Sequence, residues 1–125
     1  DNKDLDDFCD NPFIGTGPLA ALPLTDDDRR AIQALGGAVY KRAARFAAVN
    51  LAAVILKGGG GLDPLAPVCV NVDGSTFYRT RSVAFRSRIE AGLREILEPR
   101  GIAYELIGVD DAPVIGAAVA GLTRA

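Results

Sequence analysis

From Thr25 onward the apolar residues recur at close to the helical period. Ile32, Leu35, Val39, Ala43, Phe46, Ala47, Val54 and Ile55 carry the pattern, with Lys41, Arg42 and Arg45 to one side. Thr25 before Asp26, Asp27 and Asp28 is a helix start: the hydroxyl caps, and the acids complement the positive end of the dipole. The pattern predicts a helix, or two abutting helices kinked at Gly36–Gly37, running to about Lys57. Its second half is rich in Ala, which lets a neighbouring element approach closely. The run Gly58 to Gly61 ends it and reads as a flexible connector, because a phosphate loop needs a preceding strand and a following Lys-Ser/Thr.

Beyond the connector the period changes. Val68-Cys69-Val70-Asn71-Val72 is β-branched and apolar, and Asp73-Gly74-Ser75-Thr76 turns the chain sharply. This predicts a strand covered on both faces. Val83, Phe85, Ile89, Leu93, Ile96 and Leu97 form one face of an amphipathic helix over residues 80–98, stopped by Pro99 and Gly101. Ile102 to Val109 predicts a second covered strand. Asp110-Asp111 caps a last helix from Ala112 to about Thr123, with Pro113 near its start. Strand, helix and strand in that order predict a parallel pair. Residues 1–25, with Pro and Gly at short intervals, read as an irregular lead-in with at most one helical turn. Asp4, Asp6, Asp7 and Asp10 lack the ligand order of a calcium loop and read as a solvated acidic segment.

Composition narrows the chemistry. The 125 residues carry 14 Lys+Arg against 16 Asp+Glu, a net charge of −2, which disfavours a nucleic-acid binder. There is no His, and so no His base and no His metal ligand. Cys9 and Cys69 are too few for a disulfide scaffold or a zinc site and suit a reducing, cytoplasmic setting. No leader is visible, and the longest apolar stretch, Phe46 to Leu56, is too short to span a bilayer. The chain opens abruptly on DNKDLDDF and reads as an excised piece of a larger protein, with residues 26–125 as its folded subdomain.

Ligands of open α/β sheets bind at the carboxyl ends of the strands. One such end here is Val72-Asp73-Gly74-Ser75, and the other is Gly108-Val109-Asp110-Asp111 leading to Ala112 and Gly116. Together they can hold a base and its sugar from beneath. Two ordinary structural turns are the alternative reading of the same residues.

Three blocks taken in order add a resemblance. Tyr40-Lys41-Arg42-Ala43-Ala44-Arg45 is similar to the Ser-Arg-Arg-Ala-Ala helix of eukaryotic-type hexokinases. Val72-Asp73-Gly74-Ser75 with Tyr78-Arg79 resembles that family's Val-Asp-Gly-Ser turn. Gly116-Ala117-Ala118-Val119-Ala120-Gly121 resembles its closing Gly-Ala-Ala-Leu helix, and Lys3-Asp4-Leu5-Asp6 the segment before the long helix. The resemblance implies an α/β fold: a fragment of the large C-terminal lobe of an actin-like ATPase, a long helix followed by β-α-β-α with a short parallel sheet. It implies a parent enzyme that moves the γ-phosphoryl group of Mg·ATP to the 6-hydroxyl of glucose or a similar hexose. Asp73, Gly74 and Ser75 then shape the adenosine turn, and Ala112, Pro113, Val114, Ile115 and Gly116 pack against the base. ATP or ADP and a hexose are the parent's partners, with Mg2+ not held by this piece. The catalytic Asp, the sugar loops and the first phosphate motifs of the family lie upstream, so no catalytic residue is assigned here.

One departure stands out. The family's Gly-Ser-Gly-Lys-Gly is here Ala112-Pro113-Val114-Ile115-Gly116, which removes a Ser hydroxyl and a backbone donor. That loss favours an alternative, a non-catalytic regulatory or assembly module that retains the fold. With its neighbours missing, the piece is expected to self-associate as a homo-oligomer, with no nucleic-acid or membrane partner.

Overall fold

A computed structural model describes residues 1–80, 84–108 and 112–123. The long helix α2 runs unbroken over Asp26–Gly58, so the single-helix reading holds and the kink at Gly36–Gly37 does not form. Its start is a capping box. The Thr25 hydroxyl accepts from the Asp28 amide at 3.2 Å, and the Asp28 carboxylate accepts from the Thr25 amide at 3.0 Å. Gly59, at φ 69°, closes it in the left-handed region.

The lead-in is not irregular throughout: α1 spans Asn2–Asp10, capped by the Asp1 side chain on the Asp4 amide. Isolated, so short a helix is marginal, and packing on α2 supplies what local propensity lacks. Phe8 and Cys9 are buried, and Gly36 leaves the gap that Cys9 and Leu5 fill. Gln33 Nε2 donates to the Cys9 carbonyl at 2.7 Å, and Tyr40 Oη to the Asn2 carbonyl at 3.1 Å. Asp6 is also buried, which corrects the solvated reading of the acidic segment at that residue. Residues 11–25 then return across the start of α2, tied down by Arg29, whose guanidinium donates to the carbonyls of Pro12 and Ala20.

The main core lies between α2 and α4 (Phe85–Leu97). Ala44, Ala48, Ala52 and Ile55 of α2 bury against Ile89, Leu93 and Leu97, together with Phe77. Small residues set the spacing: a Cβ on Gly92 would stand 2.7 Å from the Ala48 Cβ. Arg45 adds a forked pair to Glu95 at 2.7 and 3.2 Å at the rim. The helix predicted from residue 80 begins five residues late. Thr80 is extended at φ −72° and ψ 131°, and Ala84 takes a positive φ, neither of which propagates a helix. Residues 81–83, with Val83 of the predicted face, lie outside the described residues. A 3-10 turn over Glu98–Arg100 and Gly101 at φ 64° ends this arm.

β1 (Val68–Asn71) and β2 (Tyr104–Ile107) form the predicted parallel pair, with Val68 opposite Tyr104 and Asn71 opposite Ile107. Both strands are shorter than read. The core covers one face of each, and on the other face Ile107 alone among their described residues is half-buried. Val68, Val70 and Val72 pack with Tyr104 and Leu106 on the core, while Cys69, Asn71 and Glu105 face out exposed. Alternation at period two, not a continuous apolar run, is the pattern these strands obey. The glycine connector is held at its far end, where buried Gly61 accepts from the Ala103 amide at 2.7 Å. α5 spans Ala112–Thr123 as expected. Val109 and the proposed cap Asp110-Asp111 lie outside the described residues. Among the described residues, no helix is long and apolar enough to cross a membrane.

Candidate functional site

The parallel register brings the two strand ends side by side. Past β1, the Val72 amide donates to the Ile107 carbonyl at 2.9 Å, extending the ladder by one rung. The chain then leaves the sheet through Asp73 and Gly74, both exposed. Gly74 sits at φ 126° and ψ 140°, a conformation that effectively requires glycine. Nothing lies within 4 Å of where its Cβ would stand, so that side of the turn is open.

Where the sequence reading saw only a tight turn, Ser75 opens a short helix, α3 (Ser75–Arg79). The Gly74 carbonyl accepts from the amides of Phe77 and Tyr78 at 3.2 and 3.4 Å, which fixes the turn against that helix. Phe77 points into the core, and Tyr78 lies half-exposed beside it, ring edge to ring face, with centroids 4.9 Å apart. The Arg86 guanidinium of α4 covers both rings, 5.6 and 5.8 Å from their centroids, and is held by Glu90 at 2.8 Å. That carboxylate raises the Arg86 pKa above its ordinary value, first through its hydrogen bond and then through its charge.

On the other strand, Gly108 follows β2. The second group of predicted site residues opens α5, where Ala112 is half-buried and Pro113, Val114, Ile115 and Gly116 are exposed. Val114 is 69% and Ile115 50% exposed, large apolar surfaces presented to solvent at the first turn. None of the described residues of α5 is buried. The structure therefore joins Asp73, Gly74 and Ser75 to the end of β2 through the sheet, and leaves the first turn of α5 uncovered.

Tyr78 is the functional candidate that sequence reasoning named in a motif and gave no role. Its hydroxyl donates to the Val72 carbonyl at 3.1 Å, and a Cβ on Gly108 would run into that same oxygen. The signal was available as an aromatic three residues after Ser75, but only the fold shows what it touches.

A groove of about 510 Å³ lies between α1 and α3, lined by Lys3, Asp6, Asp7, Thr76, Arg79 and Thr80. Lys3 is ion-paired to Asp7, and Asn2 Nδ2 reaches Thr76 Oγ1 at 3.4 Å. Next to it, burial raises the pKa of Cys9 and of Tyr40, with the charge of Asp6 a smaller cause for each. Among the described residues, no group of three or more Cys, Asp or Glu is gathered closely enough to hold a metal ion.

The strand-end residues present an open glycine turn and exposed apolar side chains, chemistry that suits a flat, uncharged ring better than a phosphate or a cation. The family model described as Hexokinase matches residues 3–123, which takes in both strand ends and α1. No curated protein and no solved structure matches the chain.

Proposed function

The chain belongs to the hexokinase family, and we propose that it forms part of the adenosine-binding wall of an ATP-dependent hexose kinase. Membership implies a sugar kinase that uses ATP and Mg2+, with a hexose as acceptor. Bound Mg·ATP supplies the phosphoryl group for the 6-hydroxyl of glucose or a similar hexose. In this reading Asp73, Gly74 and Ser75 lie under the sugar and base, and Ala112, Pro113, Val114, Ile115 and Gly116 border the base. The observation that carries it is the open space at Gly74 on a strand end paired with the end of β2. An L side chain there would be strained by its φ and would fill the space a ring needs.

The reading gives this chain binding and orienting work. No general base or metal-binding carboxylate is assigned to it: phosphoryl transfer depends on metal-assisted charge stabilisation, and among the described residues the acids are not grouped for it. The 125-residue chain alone is inactive in this reading, and its exposed apolar surface draws copies together. ADP binding is weak, in the millimolar range, because one wall grips less than a pocket that surrounds its ligand. Pro113 withholds a backbone donor from that wall. Titration of the isotopically labelled chain with ADP tests this. The amides of Gly74, Ser75 and Val114 are expected to shift first; shifts confined to residues 1–10 overturn the assignment.

Pro113 also favours a second reading, a regulatory or assembly module that has kept the fold and lost the activity. A full-length parent that phosphorylates glucose in a coupled assay rejects it.

A further inference from the structure

We infer that Tyr78 is a positioning residue that ties the Asp73-Gly74-Ser75 turn to the exit of β2 at Gly108, an inference that rests on the adenosine reading of that turn. The two exits stand on different strands: the Asp73-Gly74-Ser75 turn leaves β1, and Gly108 follows β2. Among the described residues two strands make the sheet, and a two-stranded sheet is marginal by itself. Something beyond the ladder must keep its carboxyl end from splaying.

Tyr78 is placed to do this. Its hydroxyl donates to the carbonyl of Val72, the last ladder residue before the turn. The same oxygen occupies the space a side chain at Gly108 would take, one residue beyond β2. A single side chain thus touches both strand exits. Its ring does not swing freely, because Phe77 packs against one side and Arg86 caps it, itself braced by Glu90. The brace leads back to α4, and so to the main core. Gly108 is not among the glycines of positive φ, so its backbone does not demand glycine. The room it leaves for the Tyr78 oxygen is the reason for a glycine there.

The substitutions Tyr78→Phe, Gly108→Ala and the two combined test this in the full 125-residue chain, with ADP as the probe. Amide shifts read both binding and local structure, and circular dichroism melting confirms folding. Tyr78→Phe is expected to weaken ADP binding about five-fold, the loss of one hydrogen bond. Gly108→Ala is expected to weaken it further, because the new methyl drives the ring off Val72. The double variant removes the oxygen that the methyl strikes, and is expected to bind ADP more tightly than Gly108→Ala alone. A purely structural Tyr78 gives additive losses and no such rescue. Gly108→Ala that binds like the unsubstituted chain, or a double variant no better than Gly108→Ala, overturns the inference. If ADP leaves the unsubstituted chain's Gly74, Ser75 and Val114 amides unmoved, the adenosine reading has failed. The tie is then judged alone, and unmoved Gly74 and Gly108 amides in Tyr78→Phe overturn it.

Discussion

Thr25 and Asp28 show how a local sequence signal becomes a measurable charge effect. The Thr25 hydroxyl and amide both donate to the Asp28 carboxylate, and these bonds lower its pKa, with the side-chain bond the larger cause. A carboxylate with a lowered folded pKa contributes stability that is fully present above its unfolded value, about 4. That contribution is lost as the pH falls through the lowered folded value. Thr25→Ala is expected to return the Asp28 pKa toward the ordinary carboxylate range. It should also flatten the acid limb of the stability curve in that window. Carboxyl NMR titration of Asp28 in both proteins checks the shift, and an unchanged midpoint refutes it. This cap was legible in the sequence because it needs only residues three apart.

At the scale of elements, the same substitution has opposite signs at two glycines. Gly37 lies within α2 with nothing within 4 Å of its would-be Cβ. Gly37→Ala is therefore expected to stabilise by about 0.5–1 kcal/mol through the entropy of the unfolded chain and helix propensity. Gly92 lies in α4 against Ala48 of α2, with no room for a methyl. Gly92→Ala forces the two helices apart, and an expected loss of about 1–3 kcal/mol follows from overpacking. Urea unfolding of both variants decides it, and a Gly92→Ala protein as stable as Gly37→Ala shows the contact to be slack. Neither sign is readable from sequence, where both are glycines inside helical patterns. The same holds for α1. Its helical form follows from contacts with Gly36 and Tyr40 on α2, about 27 to 38 residues away, and not from the DNKDLDDF segment alone.

Across the whole molecule, large apolar side chains stay exposed on two elements. Leu35, Val39, Phe46 and Val49 do so along α2, and Val114, Val119 and Leu122 on α5. Apolar side chains that join into one large exposed patch are uncommon on soluble monomers. The isolated chain is expected to self-associate, and Val39→Glu with Phe46→Glu to shift it toward monomer. Light scattering at micromolar protein measures this, and a clean monomer without substitution removes the expectation. The same isolated chain is expected to show no glucose-dependent turnover of Mg·ATP in a coupled assay. Turnover above a no-protein control would assign catalysis to these 125 residues.

The sequence by itself determined the order of the main elements from Thr25 onward, the parallel pair and the extent of the long helix, but not the helices α1 and α3. It also carried the turn and helix motifs by which the family is met. Each of these depends on period, capping or local motif, physics that acts over a few residues. Only the tertiary structure decided which faces are covered. The strands looked apolar throughout, yet Cys69, Asn71 and Glu105 turn outward because α2 and α4 pack on one side of the sheet. It also decided that Tyr78 meets both Val72 and Gly108. Residues 78 and 108 become neighbours only once two strands pair in register, and no local pattern encodes a contact made by the fold.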